Sequence, residues 1–332
     1  MKEKIERYIQ GAVLTNGCNL ACDYCYLKLQ GHKNKGCQFV YSFDVIEKAM
    51  SKDRWGVSLI SLTGDGETLL DRNVVELANI LLNNGHFLNI VNNGTQTNNL
   101  RYFINSVDAD KRQKVMFTFS LHYIELKRRG LLDTYFNNIK MVRNAGCSIF
   151  IHLVLAEQYL KMLDEIKTAC MSYIGALPHV GLVRDESDMQ SRKLAVKMNE
   201  DDFFEIGHSF NSSFFGIQEY LYKKGKIKDY CYAGQLGILL NFSSGNARQC
   251  MCNTKGYNVF EKPNEPIRFE AVGHNCSAPW CFCDAFQILG MIPQLGLSGY
   301  ADAFNGNRKD WATDYMKEAL NVKLADDFLI KE

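Results

Sequence analysis

Short apolar runs suited to buried strands recur through the first half of the chain, at residues 11–14, 57–62, 87–91, 115–121, 149–155 and 179–183. Between them the apolar positions change to a helical period. The clearest helix follows Asp71, which stands as an N-cap, and carries Val74, Val75, Leu77, Ala78, Leu81 and Leu82 before Gly85. A second, over 134–144, carries Phe136, Ile139, Met141 and Val142 and stops near Gly146. Strand, helix, strand at this cadence predicts right-handed parallel units. The result is an α/β fold, either a doubly wound sheet or an open, partial barrel. In both, chemistry belongs at the C-terminal ends of the strands.

The last third is patterned differently. All five prolines fall at or after residue 178. Residues 237–242 read as a strand, 243–246 as a turn and 247–252 as a returning strand, with Cys250 opposite about Ile238 and Cys252 on the same face as Cys250. The stretch 311–320 reads as a helix that caps the barrel.

Composition narrows the function classes. At 332 residues and 46% hydrophobic content, the chain can bury a sizeable core. Lys plus Arg total 38 against 37 Asp plus Glu, a net charge of +1, so nothing in the balance attracts nucleic acid or an anionic membrane. No apolar run approaches the roughly 20 residues of a spanning helix, and the start MKEKIERYIQ is unlike a signal peptide. A cytoplasmic protein is expected. Its 12 cysteines then point to metal or redox chemistry rather than to disulfides.

Three thiols, Cys18, Cys22 and Cys25, fall in the loop leaving the first strand. A structural zinc site usually takes four ligands. Three thiolates can instead hold three irons of a 4Fe-4S cluster and leave the fourth open. A zinc knuckle completed by Cys37, or plain buried cysteines, are the alternatives.

Cys-x-x-x-Cys-x-x-Cys after the first strand, with Tyr24 before the last cysteine, resembles the signature of radical S-adenosylmethionine (radical SAM) enzymes. Further stretches follow the same likeness. Thr63-Gly64-Asp65-Gly66-Glu67 is similar to the family's Gly-Gly-Glu turn, with Asp65 in place of a glycine and Thr68 where a proline is common. Asn92-Asn93-Gly94-Thr95 is similar to its Thr-Asn-Gly turn, and Phe119-Ser120-Leu121-His122 to the strand end whose polar side chain reaches the cofactor. The resemblance covers about residues 8–184. It implies a partial (β/α)6 TIM-like barrel, with Cys18, Cys22 and Cys25 on a catalytic 4Fe-4S cluster. It also implies S-adenosyl-L-methionine contacts from Tyr24, Gly64, Gly66, Glu67, Asn93 and Ser120. The implied reaction is one-electron cleavage of that cofactor to a 5′-deoxyadenosyl radical, which abstracts hydrogen from a substrate carbon. A flavodoxin- or ferredoxin-like reductant is the implied electron donor.

Downstream, Cys231, thirteen residues, Gly245, four residues and Cys250 resemble the start of the SPASM and twitch extensions of that superfamily, which hold auxiliary clusters. The second pool is Cys231, Cys250, Cys252, Cys276, Cys281 and Cys283. Two fully protein-ligated clusters would need eight thiolates. One auxiliary 4Fe-4S cluster is therefore favoured, on Cys231, Cys250 and two of Cys276, Cys281 and Cys283, with Cys252 a possible ligand and a zinc ribbon the alternative. These readings divide the chain into a radical SAM core over 1–210 and a small cysteine-rich α+β auxiliary domain over 211–332.

Resemblance to peptide-modifying relatives makes a ribosomal peptide the leading substrate. Small-molecule oxidation, of a sugar or amino-alcohol, is second, and a non-catalytic zinc or iron-sulfur module third. Only 17 residues precede Cys18, which is expected to leave no room for a leader-peptide-binding domain in cis. His152 and Cys147 are expected as core or rim residues. Lys127-Arg128-Arg129 and the lysines at 223, 224, 226 and 228 are expected as solvated faces, and Cys37 as a free thiol.

Overall fold

The computed structural model describes residues 3–15, 17–25, 38–185, 193–304 and 306–329. Cys37 lies outside the described residues. Six parallel strands open the fold: β1 (Arg7–Val13), β2 (Ser58–Gly64), β3 (Phe87–Asn92), β4 (Val115–Ser120), β5 (Ser148–Val154) and β6 (His179–Gly181). Each pairs with the next in chain order, and together they form the expected partial barrel, an open sheet.

The intervening helices include α1 (Phe43–Ala49), α2 (Asn73–Asn83), α3 (Thr97–Ser106), α4 (Tyr123–Arg128), α5 (Leu132–Asn144) and α6 (Leu163–Ile174). Strand β2 shows why the parallel reading holds. Every residue but Thr63 is buried, as expected of a strand covered on both faces. Helix α2 starts where the Asp71 carboxylate accepts from the Asn73 amide at 2.9 Å. It buries the six apolar residues that the helical period marked.

The sequence pattern did not reveal where the C-terminal strands go. Strand β7 (Gly237–Asn241) lies parallel to β1, with Tyr8 opposite Gly237 and Ala12 opposite Asn241. Strands β8 (Asn246–Cys250) and β9 (Asn253–Asn258) follow antiparallel, so one nine-stranded sheet runs through the molecule. The β7–β8 register pairs Leu239 with Arg248 and Leu240 with Ala247, which continues to Cys250 opposite Gly237, one residue from expectation. Cys252 lies in the turn before β9 rather than on β8.

The later helices are α7 (Glu200–His208), α8 (Ser213–Lys224) and α9 (Asp314–Leu320). Helix α9 and the residues before it cover the N-terminal end of the barrel. Tyr315 stacks on Phe87 at the start of β3 with ring centroids 5.8 Å apart. The Thr313 amide donates to Ser148 Oγ, at the start of β5, at 3.0 Å. Buried Arg308 donates to the carbonyls of Leu177 and Pro178, just before β6, and of Phe210 and Asn211. Four carbonyl acceptors compensate that guanidinium for the water it lost. This plug leaves the opposite end, where the strands point, for chemistry.

Candidate functional site

The loops that leave β1, β2 and β3 are stitched together by hydrogen bonds. Asp65, which stands where a glycine was expected, accepts from the Thr15 amide at 2.7 Å. The Glu67 amide donates to the Gly17 carbonyl at 2.9 Å. Gly66 sits between them at φ 154°, and a Cβ there would lie 2.4 Å from the Gly17 carbonyl oxygen. Glycine is required at this crossing because the two backbones touch. The Thr15 hydroxyl lies against Gly64 and Gly66, buried and without a hydrogen-bond partner among the described residues.

Glu67 is fully buried and bridges two strand ends. Its carboxylate accepts from the Leu69 amide at 3.0 Å and from the Asn93 amide at 2.7 Å. Burial pushes its carboxyl up to about 7, against the pull of those two amides. The Asn93 side chain passes the connection on. It donates to Asn19 Oδ1 at 2.8 Å and approaches Cys18 Sγ at 3.8 Å, while its own oxygen accepts from the Thr95 amide and hydroxyl.

The three thiols share this end. Cys18 is exposed, Cys22 buried and Cys25 half-buried. Cys18 Sγ accepts from the Leu20 amide at 3.4 Å. Burial raises the Cys22 thiol to about 12, helped by Cys18, Glu125 and Cys25 nearby. A thiol so placed becomes a thiolate when a metal binds it, and three soft sulfur donors with no histidine suit iron-sulfur chemistry. Among the described residues no three Cys, His, Asp or Glu side chains converge as a single-ion site.

Tyr24 turns its side chain into the barrel. Its hydroxyl lies 2.6 Å from His122 Nδ1 and 2.9 Å from Tyr159 Oη. Burial first, then His152, lowers His122 to about 4, so its ring is neutral at pH 7. Ser120 ends β4 half-buried, opposite His152 of β5. His152 is no surface ligand: its Nε2 is buried without a hydrogen-bond partner among the described residues, and burial lowers it to about 4.

The second thiol pool is more compact than its spacing suggested. Cys231, Cys250, Cys252, Cys276, Cys281 and Cys283 line a single cavity with Ile227, Trp280, Phe286 and Ile292. Half-buried Cys252 interacts with Cys250, Cys276 and Cys283, and its amide donates to Cys250 Sγ at 3.3 Å. Cys231 faces Cys250, Cys283 and Cys276, and its backbone is pinned by a two-way bridge to Gly273. Cys281 instead takes a hydrogen bond from Gln287 Nε2 at 3.3 Å. Desolvation raises Cys231 to about 12, whereas the Cys252 contact lowers Cys276. Sulfur donors gathered in an apolar, water-poor pocket again fit an iron-sulfur group.

Several residues at these sites escaped sequence reading. Glu125, Arg128 and Arg129 hold the first thiol loop, and His122 and Tyr159 hold Tyr24. The spacing of Glu125 from Arg128 and Arg129 was readable as helix pairing. Its target, a loop about a hundred residues upstream, was not.

Residues 12–168 match the family model of the Radical SAM superfamily, and the chain carries a radical SAM domain there. The fold is similar to that of Streptococcus suis SuiB. The form bound to S-adenosylmethionine aligns at 16% identity and a TM-score of 0.55, covering 78% of this chain and 64% of that one. The form bound to precursor peptide SuiA aligns at 15% identity and 0.54, covering 79% and 64%. This chain therefore spans less than two thirds of SuiB, and at such identity the likeness is one of fold. No curated protein matches the chain.

Proposed function

We propose that this protein is a radical SAM enzyme in which Cys18, Cys22 and Cys25 hold a 4Fe-4S cluster with one open iron. One observation carries the reading. The thiol loop is joined by hydrogen bonds through Asn93 to Glu67, so three strand ends present one continuous polar surface beside the thiols. Such a cluster with bound S-adenosylmethionine supplies a one-electron cleavage that generates a radical able to take hydrogen from carbon.

The chain's own contribution is placement. Gly66 lets the backbone come close, and the orphaned Thr15 hydroxyl offers a donor at that turn. Glu67 carries the carboxylate suited to an ammonium group. Because burial holds Glu67 partly protonated near neutrality, an arriving cation favours its ionised form. Asn93, Ser120 and Tyr24 complete the polar rim, with Tyr24 fixed by His122 and Tyr159.

The second pool holds one auxiliary 4Fe-4S cluster, a reading supported by six thiols lining one cavity. A peptide is the substrate, supported by the fold shared with SuiB, which was solved with its precursor peptide. A flavodoxin- or ferredoxin-like protein delivers the electron, and the enzyme works in the cytoplasm. No helix among the described residues is long and apolar enough to cross a membrane.

The test is anaerobic reconstitution with iron and sulfide, then reduction in the presence of S-adenosylmethionine. Formation of 5′-deoxyadenosine is expected; its absence from protein that holds iron and sulfide overturns the enzyme reading. A short peptide encoded beside the gene is expected to lose hydrogen in the same assay. Turnover of a sugar or amino-alcohol instead would replace the peptide reading.

A further inference from the structure

The basic run after β4 was expected to be a solvated face, and all three of its residues are exposed, but the last two also engage a buried carboxylate. Lys127 pairs with Glu165 at 2.6 Å on the surface. Arg128 and Arg129 turn back onto Glu125, whose side chain is 7% exposed. Arg128 grips both carboxylate oxygens, Nε to Oε2 and Nη2 to Oε1, each at 2.8 Å. Arg129 Nε reaches Oε1 at 2.5 Å.

That carboxylate has one more partner, and it belongs to the thiol loop. Glu125 Oε1 accepts from the Ala21 amide at 3.0 Å. Arg129 extends the grip, donating from Nη1 to the Asn19 carbonyl at 2.8 Å. One helix end therefore takes a backbone donor and a backbone acceptor from residues on either side of Leu20. The loop is held from the opposite side as well. Asn19 Nδ2 donates to Thr95 Oγ1 at 2.7 Å, and Asn19 Oδ1 accepts from Asn93.

The charge balance explains the two arginines. A buried carboxylate with only an amide partner would cost more in lost hydration than the hydrogen bond returns. Two exposed guanidiniums neutralise it from the solvent side and leave its inner face free for Ala21. The bidentate fork of Arg128 fixes the plane of the carboxylate, so the acceptor points in one direction.

We propose that Glu125, Arg128 and Arg129 form a clamp that holds residues 18–25 in their ligand-presenting shape before any cluster binds, which makes Glu125 and Arg129 positioning residues for the thiol site. The positioning role rests on the reading of Cys18, Cys22 and Cys25 as cluster ligands; the clamp on the loop does not. Ala21 immediately precedes Cys22, and Asn19 immediately follows Cys18. Fixing both peptide groups sets how the chain enters and leaves the segment between the first two thiols. In the unclamped chain that segment would have to be ordered by the metal, at the cost of fixing each backbone residue.

Amide hydrogen exchange on the full chain, purified without iron, reads the clamp directly. In Glu125→Ala and in Arg129→Ala, amides of residues 19–22 are expected to exchange about tenfold faster, while those of β4 keep their native protection. Glu125→Gln keeps an acceptor for Ala21, so its protection is expected to stay within about twofold of native. Lys127→Ala, which removes only a surface pair, should change neither region. After reconstitution with iron and sulfide, chelator removal of the iron that is absent from Cys18→Ala/Cys22→Ala/Cys25→Ala is expected to be about tenfold faster in Glu125→Ala, with rescue by Gln.

Native exchange at 19–22 in both alanine variants overturns the clamp, and so does Glu125→Gln behaving like Glu125→Ala. Should Glu125→Ala fail to fold, Arg129→Ala carries the same comparison, because its side chain lies largely at the surface. If exchange responds as expected and the three thiols take up no iron, the cluster reading falls and the loop clamp stands supported.

Discussion

The two cysteine regions solve different problems with the same side chain. The first places three thiols in a loop tied down by polar groups from β2, β3 and α4, with Cys18 left exposed. The second packs six around one cavity walled by Trp280, Phe286 and Ile292, and Cys231, Cys250, Cys281 and Cys283 are all buried. In the first, neighbours orient the thiols and leave an approach from solvent. In the second, thiols touch thiols and apolar walls exclude water. An open edge suits a centre that must receive a ligand, and a closed one suits a centre that stores charge or structure.

The largest expected effect would break that contrast outright if it failed. Replacing Cys18, Cys22 and Cys25 together by alanine should remove about four irons per chain and all 5′-deoxyadenosine formation. Cys231→Ala should leave the first cluster's iron in place. If both changes released the same zinc and no iron were present, the regions would be equivalent structural sites. Within the second pool, Cys252→Ala should cost about four irons and Cys281→Ala about none, since Cys252 contacts three other thiols and Cys281 bonds to Gln287. Equal loss from both would make Cys281 a ligand beside Cys252.

The same contrast explains what was legible beforehand. Strand β2 announces itself because burial on both faces leaves a nearly continuous apolar run, as in Leu59, Ile60 and Leu62, whereas β1 mixes Arg7 and Gln10 into its pattern and so starts four residues before the apolar run at 11–14 that marked it. The loop thiols are legible because their spacing is local. Pairing of β7 with the edge of β1 joins Tyr8 to Gly237, a contact that no periodicity encodes. Cys252 was hard to place because its role depends on where β8 turns. It follows the end of that strand, and its amide donates to Cys250 Sγ at 3.3 Å. Arg128 and Arg129 looked solvated because their heads are partly exposed; the buried atoms are those of Glu125 beneath them.

A smaller perturbation sharpens the first region alone. Gly66→Ala puts a methyl 2.4 Å from the Gly17 carbonyl oxygen at a φ that side chains rarely adopt. The chain should lose about 3 kcal/mol of stability in denaturant titration, or the two loops should separate. Either outcome weakens iron binding at Cys18 while sparing the second pool. Unchanged stability and iron content would mean that the close approach of the loops is not needed for the site.

The smallest effect concerns pH. His122, which bonds Tyr24, and His152, which interacts with His122 on one side and with Asp284 on the other, are each lowered by burial to about 4. In the unfolded chain a histidine takes its proton near 6.5, so on acidification the unfolded state binds protons first. The stability these neutral rings require is intact above about 6.5 and is lost progressively as pH falls toward 4. Glu67 works in the opposite sense: raised to about 7, it binds its proton in the folded state first and favours folding as pH drops from 7 toward 4.5. The two senses cancel only in part, and a variant must isolate one group. His152→Leu should lose about 2 kcal/mol less stability than the native chain between pH 7 and pH 5, measured by denaturant midpoints at both values. An identical pH response in His152→Leu and native protein would show that this ring is solvated when folded, and the barrel interior around it would then be wetter than its packing implies.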